Sequence, residues 1–219
     1  ANFNTAVGYQ SLDANTEGTV NTGIGADALT GNTTGDANTA IGASALSANT
    51  TADNNTAVGR SALEANTTGA NNTAVGAFSG DKNTTGVKNV SVGQGSFTES
   101  TTGDNNTAVG SDSLANNTTA SNNTAVGFNS LNANTTGTSN TAVGTFALDT
   151  ATTAIQNTCI GFNAGGNLTT GSRNTFVGVS NNSTGECGSL VTTGSNNSIL
   201  GGYTGNQGGL DLRTSSNNV

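Results

Sequence analysis

Aliphatic side chains recur along this chain at one fixed interval. Val7, Ile24, Ile41, Val58, Val75, Val92, Val109, Val126, Val143, Ile160 and Val177 lie 17 residues apart, and Leu200 follows after 23. Each closes an Asn-x-x-aliphatic unit, with a small third residue in ten of the twelve, and is followed by Gly, as in Asn4-Thr5-Ala6-Val7-Gly8. A fixed period of this length marks stacked repeats, each burying its apolar side against its neighbours.

With the opening Asn as position 0, the repeat can be followed column by column. Position 1 is Thr in ten of twelve copies, position 3 is always Val, Ile or Leu, and position 4 is always Gly. Persistent β-branched residues favour a strand, in which positions 1 and 3 share one face and positions 0 and 2 the other. This pattern predicts the Val/Ile column inside the coil. It predicts the small residues of position 2, Ala in seven copies, on an outer face covered by partner chains. The Gly after the strand marks a corner. Position 8 supplies a second apolar column in Leu12, Leu29, Leu46, Leu63, Phe97, Leu114, Leu131 and Leu148. Asn-Thr-Thr-Gly then suggests a second short strand between turns.

Each repeat therefore reads as strand, corner, strand, corner. The fold class is all-β, a parallel β-solenoid (β-roll or β-helix) of about twelve 17-residue coils. Stacked at ~4.8 Å, twelve coils make a rod about 55–60 Å long. Residues 1–178 form the regular array, 179–196 an irregular longer repeat, 197–208 the last coil and 209–219 an exit segment. Two large apolar residues per 17 leave little to offset backbone entropy, which points to several chains around one axis.

Composition narrows the function. Hydrophobic residues make up 32% and charged residues 8%, with no Pro, so the chain lacks the high charge and proline of disordered segments. A net charge of −8 with five basic residues excludes a nucleic-acid footprint and attraction to anionic lipid. No run approaches the ~20 apolar residues of a membrane span. The start carries neither Met nor a signal-like segment, as expected of a processed product or a piece of a longer fibre.

Catalytic and cofactor chemistry finds no support. His is absent, which removes Ser/His/Asp and Cys/His arrangements. The acids are scattered over several phases, as on solvated edges. Zinc ligands, calcium repeats, phosphate loops and dinucleotide fingerprints are missing, so no enzyme, metal or cofactor is expected. Asn32, Asn49, Asn66, Asn83, Asn117 and Asn134 match the Asn-x-Ser/Thr glycan-acceptor pattern, and as structure they read as turn-capping Asn ladders. Tyr9, Phe78, Phe128, Phe146, Phe162 and Tyr203 fall in the variable corner, either as plugs between chains or as exposed contacts for glycans or a surface. Cys159 and Cys187 either staple the longer repeat or sit as two buried thiols.

The Asn-Thr-Ala-Val-Gly-x-x-Ala-Leu pattern resembles the Asn-Ser-x-Ala-Ile-Gly-x-x-Ala repeats of trimeric autotransporter adhesin heads. It departs from them in the added Asn-Thr-Thr-Gly corner. It is also similar, over residues 4 to about 201, to bacteriophage tail-fibre and related bacterial fibre proteins with Asn-Thr-Ala-x-Gly…Asn-Thr-Thr-Gly repeats. The resemblance implies a homotrimeric, extracellular, cell-surface or virion shaft that holds an attachment tip away from its base, with further copies of itself as partner; a cell-surface glycan partner is suggested only by the corner aromatics. It also implies that Gly209 to Val219 leads toward a distal part. Two other readings stay open: an ice-binding solenoid built on the Thr-Thr pairs, and a self-polymerising cell-surface filament.

Overall fold

The computed structural model describes residues 3–179, 187–207, 210–211 and 214–217. Every repeat opens with one three-residue strand: β1 (Thr5–Val7), β2 (Thr22–Ile24), β3 (Thr39–Ile41), β4 (Thr56–Val58), β5 (Thr73–Val75), β6 (Val90–Val92), β7 (Thr107–Val109), β8 (Thr124–Val126), β9 (Thr141–Val143), β10 (Thr158–Ile160), β11 (Thr175–Val177) and β12 (Ser198–Leu200). The twelve strands follow one another in a single parallel sheet. Equivalent residues pair, so Thr56 faces Thr73, Ala57 faces Ala74 and Val58 faces Val75. The chain is a parallel β-solenoid, with no helix among the described residues.

Ten turns, from Asn4 to Arg173, keep the 17-residue length. The eleventh takes 23. The twelfth contains a small antiparallel pair, β13 (Asn206–Gln207) with β14 (Leu210–Asp211). Residues 214–217 then rejoin the stack: Asn217 N–H donates to the Ser195 carbonyl at 2.9 Å, and Asn197 Nδ2 donates to the Ser215 carbonyl at 3.0 Å.

The strand faces are the reverse of the expectation. Position 2 points inward, and Ala40, Ala57, Ala74, Ala108, Ala125 and Ala142 are fully buried. Position 3 points outward, leaving Ile41 39% and Val75 38% exposed. The interior is narrow, and Leu at position 8 fills it from the opposite wall. A Cβ on Gly23 would already lie 3.4 Å from Leu12 Cγ. Where position 2 enlarges to Phe176, position 8 shrinks to Gly165 and the corresponding Gly188. A Cβ on Gly188 would come 2.6 Å from the Phe176 ring. Around Phe176 core volume is held by exchange between the two walls, as close packing requires.

The Thr-Thr pair is a bend rather than a second strand. Thr33 and Thr34 N–H both donate to the Thr50 carbonyl, at 2.9 and 3.2 Å, which a pleated ladder does not allow. Each turn thus has one strand and a series of tight corners.

Those corners demand left-handed backbone. The Gly at position 4 has φ between +131° and +139° in the first eleven coils. A Cβ at Gly127 would sit 2.6 Å from the Gly144 carbonyl carbon, so neither conformation nor space admits a side chain. Positions 6, 8 and 16 also adopt positive φ, in most coils without Gly; Leu46 has φ 51° and Leu131 φ 51°. Such geometry costs about 1–2 kcal/mol per residue, and the buried Leu side chains offset it at position 8.

One wall of the interior is polar. The position 0 Asn accepts the next coil's position 0 N–H on its Oδ1, as Asn55 does from Asn72 N–H at 2.9 Å. The position 11 Asn donates Nδ2 to the Oδ1 of the preceding coil, as Asn66 does to Asn49 at 2.9 Å. Both columns also donate to the position 14 carbonyl: Gly69 O accepts from Asn55 Nδ2 and Asn66 Nδ2, each at 2.9 Å. Buried amides are thereby satisfied in two continuous ladders. The position 11 ladder breaks at Ser100 and ends at Ala151, and the Oδ1 atoms of Asn83 and Asn134 just before those breaks have no partner.

Candidate functional site

With the interior assigned, the surface shows three strips. The strand face is the most regular, because positions 1 and 3 of every coil point out of one continuous parallel sheet. It shows Thr or its Val90 and Ser198 replacements beside Val, Ile or Leu. No charged residue occurs at positions 0–4 in any coil. A second strip is the position 13 column, in which Thr34, Thr51, Thr68, Thr85, Thr102, Thr119, Thr136, Thr153, Thr170 and Thr193 are all exposed. The neighbouring position 12 hydroxyls turn into the stack instead, as when Thr33 Oγ1 donates to the Thr50 carbonyl at 3.0 Å. The position 13 Thr is therefore the more exposed member of most pairs, whereas Thr101 and Thr102 are both exposed.

The corner at positions 5 and 6 carries the aromatics. Phe128 and Phe146 meet edge to face with centroids 5.4 Å apart, and Phe146 and Phe162 do so at 6.3 Å. Phe78 lies under the Arg60 guanidinium, 4.1 Å from its centroid. Tyr9 stands exposed on the first coil, and Tyr203 packs against the core. Three of the six predicted contacts are thus brought together in a ladder, and the other three lie elsewhere.

The six Asn of the glycan-acceptor pattern are fully buried, and each Nδ2 donates to the position 14 carbonyl of its own coil. A sugar has no room on them in the folded rod. The ladder reading describes their placement.

No protein-family model, curated protein or solved structure matches the chain. The solenoid's remaining chemistry is read from its own side chains.

Cys159 and Cys187 are free and buried. The serines at the same positions show which neighbours such side chains meet. Ser91, at position 2, has its Oγ 2.7 Å from Ser96 of its own coil and 2.7 Å from Ser79 of the coil before. By that register Cys159 faces Ala164 and Ala147. Cys187, at position 7, faces Phe176 and the Ile199 carbonyl, 3.7 Å from its Sγ. The two thiols are offset by one coil too many to meet. Burial pushes both upward, Cys187 to about 11, so neither is a thiolate near neutral pH.

The acids stay dispersed. Among the described residues no group of three His, Cys, Asp or Glu is placed to hold a metal ion. Lys82 and Glu99 form an exposed ion pair at 2.6 Å. Asp81 and Asp149, both at position 9, are half-buried with one oxygen each lacking a partner, and burial raises their pKa above the ordinary carboxylate value. Among the described residues no helix is long and apolar enough to cross a membrane. The feature missed in the sequence is the outward Thr-x-Val face, although its lack of charge in all twelve copies was legible there.

Proposed function

We propose that the chain is the structural shaft of an extracellular or virion fibre, a rigid spacer between an anchoring base and an attachment tip, built from more than one copy. The observation that carries this reading is the unbroken register of β1 to β12. Twelve rungs joined by backbone bonds, two amide ladders and a Gly column make a stiff element with length. Low charge and the homotrimer suggested by the adhesin-head resemblance fit the same role. A glycan-bearing host surface is the target we assign to the tip. Electron microscopy of the purified protein tests it. Rods are expected, and deleting coils 7 and 8 (Asn106–Ser139) should shorten each by about 10 Å, two rungs of ~4.8 Å. Compact particles, or loss of folding on that in-register deletion, would overturn it.

The stacked Thr columns favour one second reading, an ice-binding surface. Rows of Thr on a flat face repeat at strand spacing and carry no charge on the strand side. Thermal hysteresis by the isolated protein would select it over the shaft.

A further inference from the structure

We propose that the outward strand face is the docking surface for a second copy of this chain, lying parallel and level, rung against rung. This rests on the shaft reading and assigns the surface by which copies of the shaft meet. Position 3 turns an aliphatic side chain outward in every coil, and Val7, Ile24, Ile41, Val75, Ile160 and Leu200 are each at least 38% exposed. Beside coils 8 to 11 the stripe widens through Phe128, Phe146, Phe162 and Val179.

Charge singles out the occupant. The 5 basic and 13 acidic residues all lie outside positions 0–4, and the net charge is −8. Two copies approaching by positions 6, 9 or 15 bring carboxylates together, and the position 13 Thr column, uncharged past Glu17, offers no aliphatic side chain; the strand face is both uncharged and apolar. Size agrees. Twelve rungs at ~4.8 Å and a width of about four residues give roughly 58 by 13 Å. That is about 750 Å², close to the ~800 Å² each partner contributes to a stable interface. Period decides the rest. Side chains fill the gaps along the whole face only if the partner has the same rise, and a second copy has it at every rung.

Sedimentation of the wild-type chain at tens of micromolar should give a dimer or trimer. Val109→Glu with Val126→Glu, both on the face, should weaken association about 100-fold or more. The same charges on the exposed position 13 column, Thr119→Glu with Thr136→Glu, should leave it within about threefold. Circular dichroism confirms folding. If the face variant unfolds, the near-isosteric Val109→Thr with Val126→Thr replaces it, with an expected loss of about tenfold. Val109→Cys treated with glutathione disulfide should join residue 109 of one copy to residue 109 of the next, the reagent being reduced to two thiols. A monomeric wild type, association surviving the face charges, or loss with the position 13 charges would each overturn the proposal. Thermal hysteresis abolished by the face charges would give the same face to ice instead. Single rods of full length would sink the docking alone, whereas absence of rods would sink the shaft reading with it.

Discussion

Replacing Ser100 by Asn should stabilise the solenoid. Position 11 is Asn in coils 1 to 5, 7 and 8, and Ser100 is the one gap between them. At that gap Asn83 Oδ1 is buried without a partner, and Asn117 Nδ2, which also donates to the Ala120 carbonyl, meets Ser100 Oγ across the coils at a long 3.4 Å. In an intact stretch the corresponding Nδ2 to Oδ1 distances are 2.8 to 3.0 Å. Asn at 100 would donate to Asn83 Oδ1 and to the Gly103 carbonyl, and would accept from Asn117. A buried unpaired acceptor costs about 1–3 kcal/mol, and a net hydrogen bond contributes about 0.5–1.5 kcal/mol. After subtracting the ordering of a larger side chain, a gain of about 1–2 kcal/mol remains. For an ordered chain of this length that raises Tm by roughly 2–8 °C. Ala151→Asn is the control. It would satisfy Asn134 Oδ1 but present its own Oδ1 to the apolar Leu168, moving the orphan by one coil, so it should be neutral or worse. Thermal and urea unfolding of both variants beside wild type is the assay. A neutral Ser100→Asn together with a stabilising Ala151→Asn would refute the ladder account.

Further expectations follow from the same geometry. Asn66→Ala removes the bonds to Asn49 Oδ1, Gly69 O and Asn83 Nδ2 and orphans Asn49 Oδ1; it should cost about 2–4 kcal/mol in urea unfolding. Gly127→Ala forces a Cβ against the Gly144 backbone at φ +135° and should cost several kcal/mol, about 3 or more. The cysteines should resist a thiol-specific disulfide reagent at pH 8 until the protein unfolds. Because Cys187 is raised to about 11 in the fold, its contribution to stability is full below the thiol's ordinary value and is lost as pH rises from about 9 toward 11. Asp149, also raised, has the carboxylate form of that sign: the fold is penalised at neutral pH and relieved as pH falls through the raised value. Asp149→Asn should therefore stabilise at pH 7 and flatten the acid side of the profile.

The period, the strand at Asn-Thr-Ala-Val, the Gly corner and the Asn ladders were all legible in the sequence. Each is a column of one residue type, and columns survive whichever way the coil is folded. The inside and outside of the strand were not. Hydrophobicity alone sends Val inward and Ala outward, yet the size of Leu at position 8 decides the matter from the other wall. The exchange of Phe176 with Gly165 and Gly188 carries that information, but only to a reader who already knows that positions 2 and 8 touch. The Thr-Thr bend was misread for a related reason. β-propensity describes a pleated, half-buried surface, and two N–H groups sharing one carbonyl do not make one. The glycan-acceptor Asn could not be separated from ladder Asn by pattern, since one tripeptide serves both.

The rungs have a mechanical consequence. Their hydrogen bonds run along the rod, so tension applied at its two ends loads the turns in series and every bond within a turn together. A turn that gives way exchanges ~4.8 Å of stack for about 56 Å of extended chain, at ~3.3 Å for each of 17 residues. The tether then lengthens by roughly 50 Å per lost turn while its neighbours stay intact, so it would yield in equal steps rather than snap.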